Sequence, residues 1–278
     1  MTQQISHHPA VWIERIARFG YASKGAVYFL VGLLAVQAAF GPGGEKTGTE
    51  GALKTLVQQP FGQFLLTLVA NGLTSYAMRR FVEAINDPEN KGTDIKGIVT
   101  RLSYMTNGFA YAGLAWTSIQ IIIGSASSGG ENTKQNWTER LLNQPFGQWL
   151  VGTIGVGVIV FGSYYLYRAF TAKFRRKLDL SELSSVAREW VIAICRFGLA
   201  ARSIVFFLIG WFVIEAAYMA QASQVGGLNE ALETLAAQPY GPFLLTVVAL
   251  GLMAYGVYMV VQARYRQLDP NMSRIGNW

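Results

Sequence analysis

Few side chains in this chain of 278 residues are equipped for chemistry, and the informative ones sit inside apolar runs. Glu215 is the only acidic residue well inside such a run, and Gln37 and Gln120 hold the matching place in two earlier stretches. An ionisable group in hydrocarbon is expensive, so it usually faces protein or water and is a functional candidate by default. The three positions therefore form a candidate polar ring, suited to a hydrated vestibule or a proton-sensitive site. The alternative is that Glu215, a few residues from a helix end, simply reaches the interface. Toward the other end Lys24, Asn107 and Arg202 also align. Their basic members can snorkel to head groups along apolar stems, or hold a lipid phosphate or a partner's carboxylate. Asn71 stands mid-run with no polar counterpart and is expected to make one interhelical hydrogen bond. Arg79, Arg80 and Glu83 close the same run, with Glu83 expected to pair with either arginine or with Arg168.

Catalytic patterns are missing from the sequence. It has no phosphate-cradling glycine loop ending in Lys-Ser/Thr, no His-Glu-x-x-His, no Gly-x-Ser-x-Gly and no Cys-x-x-Cys. Histidine occurs only at His7 and His8, too few and too terminal for a metal site, and Cys195 is the single cysteine. No catalytic residue, metal or cofactor is expected, and the chain is read as a non-enzyme. A lone cysteine cannot form an internal disulfide and fits a reduced compartment.

The elements that position these residues come in triplicate. Arg18-Phe19-Gly20 returns degenerately as Arg101-Leu102-Ser103 and again as Arg196-Phe197-Gly198, start-to-start distances of 83 and 95. Gln59-Pro60-Phe61-Gly62 returns as Gln144-Pro145-Phe146-Gly147 and Gln238-Pro239-Tyr240-Gly241, distances of 85 and 94. Matching periods mean that one unit was copied whole. Each half of the unit opens a long apolar run, so the unit is a membrane hairpin.

Composition agrees: charged residues are 14% against about a quarter in a soluble domain, hydrophobic residues are 51%, and mean hydropathy is +0.27. Windows at 20–40, 63–82, 104–124, 147–167, 203–220 and 241–261 approach or meet the ~20 residues a crossing helix needs. The expected fold is an all-α integral membrane protein, with six transmembrane helices from three tandem parallel hairpin repeats related by a pseudo-three-fold axis. Short interfacial amphipathic helices accompany them. The repeats span 10–84, 93–170 and 187–266, with a basic linker at 171–186 and tails at 1–9 and 267–278. The N-terminus lacks a cleavable signal, so the first crossing helix is expected to serve as its own.

Nineteen of the 23 Lys and Arg fall at the N-terminus, in the second and fourth connections and in the tail; Lys46, Lys54, Lys134 and Arg140 lie on the other face. Retention of positive charge then predicts that both termini are cytoplasmic. The +7 net charge lies beside helix ends, where anionic head groups are the simpler partner. The densest cluster, Lys173 to Lys177, has no aromatic groove or reading helix beside it, so nucleic acid is not expected.

Within one repeat, amphipathic leads precede each first crossing: Trp12, Ile13 and Ile16; Ile95, Ile98 and Val99; Trp190, Val191 and Ile194. They read as helices on or entering the interface. Double glycines, Gly43-Gly44, Gly129-Gly130 and Gly226-Gly227, mark the opposite connections, followed by amphipathic stretches at 52–56 and 231–235. Proline then reads as the first turn of the second helix. Small residues recur every seven positions, as in Gly25, Gly32 and Ala39, or Gly155 and Gly162. This predicts close packing of the two helices of each hairpin along these seams.

The stretch Arg18-Phe19-Gly20-Tyr21-Ala22 with Lys24-Gly25, Arg196-Phe197-Gly198 with Ala200 and Arg202, and Gly251 to Tyr258 resemble the bacterial membrane proteins of domain-of-unknown-function family 1206. The resemblance covers roughly residues 12–266 and implies three tandem two-helix repeats in a bacterial membrane. It supplies no reaction and no site residues. The middle copy departs most, with Leu102-Ser103 for Phe-Gly and Asn107 for the basic residue. The expected role is a non-catalytic membrane module that binds lipid, another membrane protein or a second copy of itself. The other reading is a channel or carrier for a small solute or ion.

Overall fold

The computed structural model describes residues 8–40, 48–86, 94–125, 129–172, 174–175 and 178–266. Gly43-Gly44, His7, Lys46, Lys91, Lys173, Arg176, Lys177 and the chain's last twelve residues lie outside them, as do the side chains of Trp12, Ile13, Ile16 and Ile95. The described residues fold as helices α1 (His8–Phe40), α2 (Thr49–Val57), α3 (Gly62–Ile85), α4 (Ile95–Ile122), α5 (Gly129–Leu142), α6 (Gly147–Thr171), α7 (Ser185–Met219), α8 (Leu228–Ala237) and α9 (Gly241–Tyr265). Each repeat is thus long helix, short helix, long helix.

Ala17–Phe40, Gly147–Thr171, Ser185–Met219 and Gly241–Tyr265 are long and apolar enough to cross a membrane. α3 and α4 fall short of that hydropathy, so four of the six expected spans meet it. Their outer faces carry large apolar side chains that water would not tolerate together, such as Phe29 and Leu33 on α1, Phe64 and Leu68 on α3, and Phe243 and Leu250 on α9.

The amphipathic leads are not separate interfacial helices. They run without a break into α1, α4 and α7, making the last of these 35 residues long, roughly 50 Å at 1.5 Å per residue. No proline interrupts the junction, and Gly20 and Gly198, which could have bent it, are clamped against neighbouring helices. The arginine that opens the second and third copies has a structural role. Arg101 Nε donates to the Ala84 carbonyl (2.7 Å) and Arg196 Nε to the Ala169 carbonyl (2.9 Å), each at the C-terminal end of the preceding repeat's second helix. Cations there satisfy orphan carbonyls and favour the negative end of the helix dipole.

The Gln-Pro-aromatic-Gly run also differs from expectation. The helices begin at Gly62, Gly147 and Gly241, two residues after the proline. Proline instead occupies the second position of a turn closed by the glycine N–H on the glutamine carbonyl, at 2.7, 2.8 and 2.8 Å. Such a turn wants positive φ at its third residue, and Phe61, Phe146 and Tyr240 adopt φ of 60°, 65° and 64°. Left-handed backbone costs an L-residue about 1–2 kcal/mol, and in all three copies the aromatic is thrust outward, 83 to 84% exposed. The glycine that follows is required, because a Cβ there would strike the carbonyls of the short helix before it.

Packing corrects the expected seams. The glycines of the seven-residue pattern join neighbouring repeats rather than the two helices of one hairpin. A Cβ on Gly25 would lie 2.8 Å from the Gly256 carbonyl oxygen, and one on Gly256 would lie 2.7 Å from that of Gly25, so α1 and α9 touch backbone to backbone. Gly155 and Gly210 do the same between α6 and α7, at 3.0 Å in both directions. The α3–α4 pair completes the pattern, with Gly108 against the Phe81 ring. Hairpins close through a second glycine set: Gly20 against Tyr76 and Gly72 against Ser23 between α1 and α3, Gly198 against Tyr255 and Gly251 against Ala201 between α7 and α9.

Because these seams have no room for a side chain, Gly32→Leu or Gly210→Leu should force helices apart and lower the detergent thermal midpoint by several degrees, overpacking costing roughly 1–3 kcal/mol. Gly113→Leu, where a Cβ meets nothing within 4 Å, should leave the midpoint unchanged. Equal midpoints for all three variants would refute this placement of the seams.

Candidate functional site

The middle repeat lacks the hairpin contact that the other two make. The long helices pack in the order α4, α3, α1, α9, α7, α6, each on the next, and among the described residues α4 and α6 do not pack against each other. Gly157, the α6 counterpart of Gly72 and Gly251, is exposed, and a Cβ on it would meet nothing within 4 Å. The cause is legible in the two partners it would need. Ser103 replaces Gly20 and Gly198, whose positions tolerate no Cβ, and Thr106 replaces the smaller Ser23 and Ala201. α6 is left at an edge, with 17% of its most apolar window buried against 61% for α1 and 56% for α9.

A cavity of about 2500 Å³ occupies this break, walled by α4 and α6 and floored by α1, α3, α7 and α9. Its deep wall is built in three-fold layers. Lys24, Asn107 and Arg202 all line it, so the structure brings this aligned set to one cavity. One turn further along lie Tyr28, Tyr111 and Phe206, and from the second helices Tyr76, Phe161 and Tyr255, each trio occupying equivalent repeat positions. Tyr111 Oη donates to Tyr28 Oη at 3.2 Å, and Tyr28 meets Tyr255 edge to face at 5.0 Å. Sequence reading missed this aromatic wall, although the offsets that aligned the polar residues would have aligned the rings.

Lys24 and Arg202 do not snorkel to the surface. Lys24 is 1% exposed: its Nζ donates to Tyr76 Oη at 3.0 Å and lies 4.5 and 4.3 Å from the Tyr76 and Tyr111 ring centres. Arg202 is 7% exposed, with its guanidinium 4.4 Å from the Tyr255 ring, 4.5 Å from Tyr28 and 4.8 Å from Phe206. Cation–π attraction is worth most where water is excluded, and a ring wall therefore lets these cations stay inside. Asn107, half-buried beside the opening, donates to the Ser103 carbonyl of its own helix.

Deeper toward the end of the bundle where α9 finishes, a carboxylate offsets part of the positive charge. Glu83, 1% exposed, accepts from Arg79 Nε at 2.9 Å and Arg80 Nη1 at 2.5 Å, so it pairs with both arginines of its helix. Arg80 also donates to Tyr76 Oη at 2.7 Å. Arg266 donates to Tyr21 Oη, fastening the end of α9 to α1, and an isolated antiparallel bridge joins Leu178 to Arg266. Arg168 donates to Tyr258 Oη at 3.0 Å instead of reaching Glu83. Cys195 is fully buried and free.

The other aligned set is not a ring. Gln120 lines the cavity, but Gln37 is exposed on α1 and Glu215 is half-buried on α7, both away from it. Each stands thirteen residues beyond the inward-facing Lys24 or Arg202. At roughly 100° per residue that turns it by about 220°, to the far side of the helix. Gln120 keeps access because α4 has no α6 packed beside it. Asn71 likewise makes no interhelical bond among the described residues; it donates to the Thr67 carbonyl one turn back in its own helix. No cluster of three or more His, Cys, Asp or Glu suited to a metal occurs among the described residues.

Three stretches of the chain, 19–87, 102–172 and 197–266, each match the family model named Domain of Unknown Function (DUF1206). The uncharacterised protein YxxB of Bacillus subtilis (strain 168) is 34% identical over 265 residues, 95% of each chain. No solved structure matches.

Removing one partner from a buried ion network strands the others, at a cost of roughly 3–5 kcal/mol. Glu83→Gln should therefore destabilise the purified protein severely in a detergent melt, while Glu215→Gln should shift the midpoint by less than a degree or two. Equal sensitivity at the two positions would contradict the buried placement of Glu83.

Proposed function

We propose, for a chain that belongs to the DUF1206 family, that it is a non-catalytic integral membrane module whose middle repeat is held open to receive a membrane lipid. The observation that carries this is the Gly157 contrast. The same position in the other two repeats is pressed against a neighbouring helix, while here it faces an unfilled space between two long helices. A gap between membrane helices opens toward lipid, and hydrocarbon is the solvent present to fill it. Its rim is apolar, with Phe109, Trp116, Ile154 and Val158, whereas its depth holds cations and hydroxyls. That gradient suits an amphiphile entering tails outward.

In this reading all six long helices cross the membrane. α3 is less apolar because Gln63, Asn71, Thr74 and Ser75 interrupt it and Arg79, Arg80 and Glu83 close it, and α4 because its cavity face carries Thr100, Ser103, Asn107, Tyr111, Thr117 and Gln120. Such a polar stripe is affordable only where it lines protein or a cavity. The charge asymmetry supports cytoplasmic termini, and the family supports a bacterial membrane.

One observation supports the second reading, a channel or carrier. The cavity lining runs from Lys54 and Asn229 near α2 and α8 to Asp94 and Arg266 at the opposite end, so it extends the height of the bundle. Flux of ions or small solutes through purified protein in liposomes, with no lipid retained on purification, would favour that reading over lipid binding.

The lipid reading is tested by native mass spectrometry of protein extracted in mild detergent, where one or two co-purifying lipids are expected. Gly157→Leu should fold with an unchanged melting midpoint and lose most of that lipid, whereas Gly72→Leu and Gly251→Leu should fail to fold. Undiminished lipid on Gly157→Leu would overturn the site.

A further inference from the structure

Two of the cations in the cavity have no acid to balance them. Arg79 and Arg80 share Glu83, but among the described residues no carboxylate pairs with Lys24 or Arg202. Lys24 spends one of its three donors on Tyr76 Oη. Arg202 makes no hydrogen bond among the described residues, and its Nε is buried without a partner. Both are more than nine-tenths buried, line the cavity, and flank one ring, Tyr255, at 5.9 and 4.4 Å. Two like charges facing one space repel each other, and aromatic faces offset only part of the lost hydration. Unused, convergent donors on a lysine and an arginine match an anion that has several oxygens to share.

We infer that the level of Lys24 and Arg202 is a seat for the phosphate group of an anionic amphiphile, an assignment that rests on the lipid reading above and names the class of lipid. Arg202 presents a planar fork that can hold two phosphate oxygens, and Lys24 adds a point charge with two free protons. Tyr28 and Tyr111 hydroxyls stand one turn away as further partners. The third member of the layer, Asn107, is neutral and stands beside the opening, so the anion passes a polar but uncharged side chain to reach the cations. Acyl chains then leave past Phe109, Ile154 and Val158 between α4 and α6.

The source of the phosphate is separated by three probes on the full-length protein in non-ionic detergent: dioleoyl phosphatidylglycerol, dioleoyl phosphatidylcholine and inorganic phosphate. Native mass spectrometry and the thermal midpoint are the readouts. The anionic lipid should bind about tenfold more tightly than the zwitterionic one with the same tails, a difference of 1.4 kcal/mol. Lys24→Met and Arg202→Gln should each erase that preference, and Arg202→Lys should keep most of it. Asn107→Asp sets a carboxylate in the same layer at a half-buried position, so it should also erase the preference if either other variant does not fold. Equal binding of both lipids by wild type and variants would overturn the anion seat and leave the lipid cavity standing. Binding of neither lipid would overturn the lipid reading. In that case a midpoint raised by inorganic phosphate in wild type but not in Arg202→Gln would keep the seat with a soluble anion as its occupant, and no response would remove it.

Discussion

Backbone contact at glycine decides which helices of this bundle close and which do not. In lipid, apolar surface gives helices little reason to associate, so close approach through small residues supplies much of the attraction. Two glycine sets serve two kinds of interface. One, typified by Gly25 with Gly256 and Gly155 with Gly210, welds each repeat to the next around the axis. The other, Gly20 with Gly72 and Gly198 with Gly251, closes a hairpin onto itself. The first interface is made by all three copies and the second by two. Architecture and opening thus follow from the same contact, present in one place and missing in another.

Once the opening exists, the charges around it acquire meaning. A cation buried in hydrocarbon must find compensation, and the two ends of the site solve this differently. At the end where α9 finishes, Glu83 pairs with both Arg79 and Arg80, and the Tyr76 and Tyr21 hydroxyls accept from Arg80, giving a clasp held largely from within. At the level of Lys24 and Arg202 ring faces stand in for a counter-ion. Faces stabilise a cation without consuming its N–H donors, so the donors stay available. A carboxylate in the same place would have filled the site from within.

The triplication, the helical character and the alignment of Lys24 with Asn107 and Arg202 were all legible in the sequence, because spacing and apolar length are local properties. Which face each helix turns inward was not. Gln37, Gln120 and Glu215 align as well as the other trio, yet the inward face is set by Gly25 and Gly32 meeting α9, a contact between residues more than 200 positions apart. The seven-residue spacing of small residues correctly marked a close-packed stripe but carried no label for its partner, and the neighbouring repeat, not the hairpin mate, proved to be that partner. Proline in the Gln-Pro-aromatic-Gly run fits a helix start and a turn equally well by composition. Only the positive φ of Phe61, Phe146 and Tyr240 separates the two.

The degeneracy of the middle copy is better understood as the origin of the site than as decay. Three identical hairpins around an axis would each press a glycine onto its mate and seal the bundle. Ser103 adds one Cβ where Gly20 and Gly198 have none, and at Gly20 that atom would sit 2.8 Å from the Tyr76 nitrogen. Thr106 adds bulk where Ser23 and Ala201 meet glycine. Neither change disturbs the α3–α4 or α6–α7 interfaces, which use other faces of the same helices, so the bundle persists while one hairpin stays apart. Asn107 then removes the positive charge from the member of the layer nearest the gap, where a third cation would have faced lipid directly. Loss of symmetry at three positions on one face of α4 therefore does a single thing: it turns a sealed three-fold core into a cleft that has a side entrance and a basic floor.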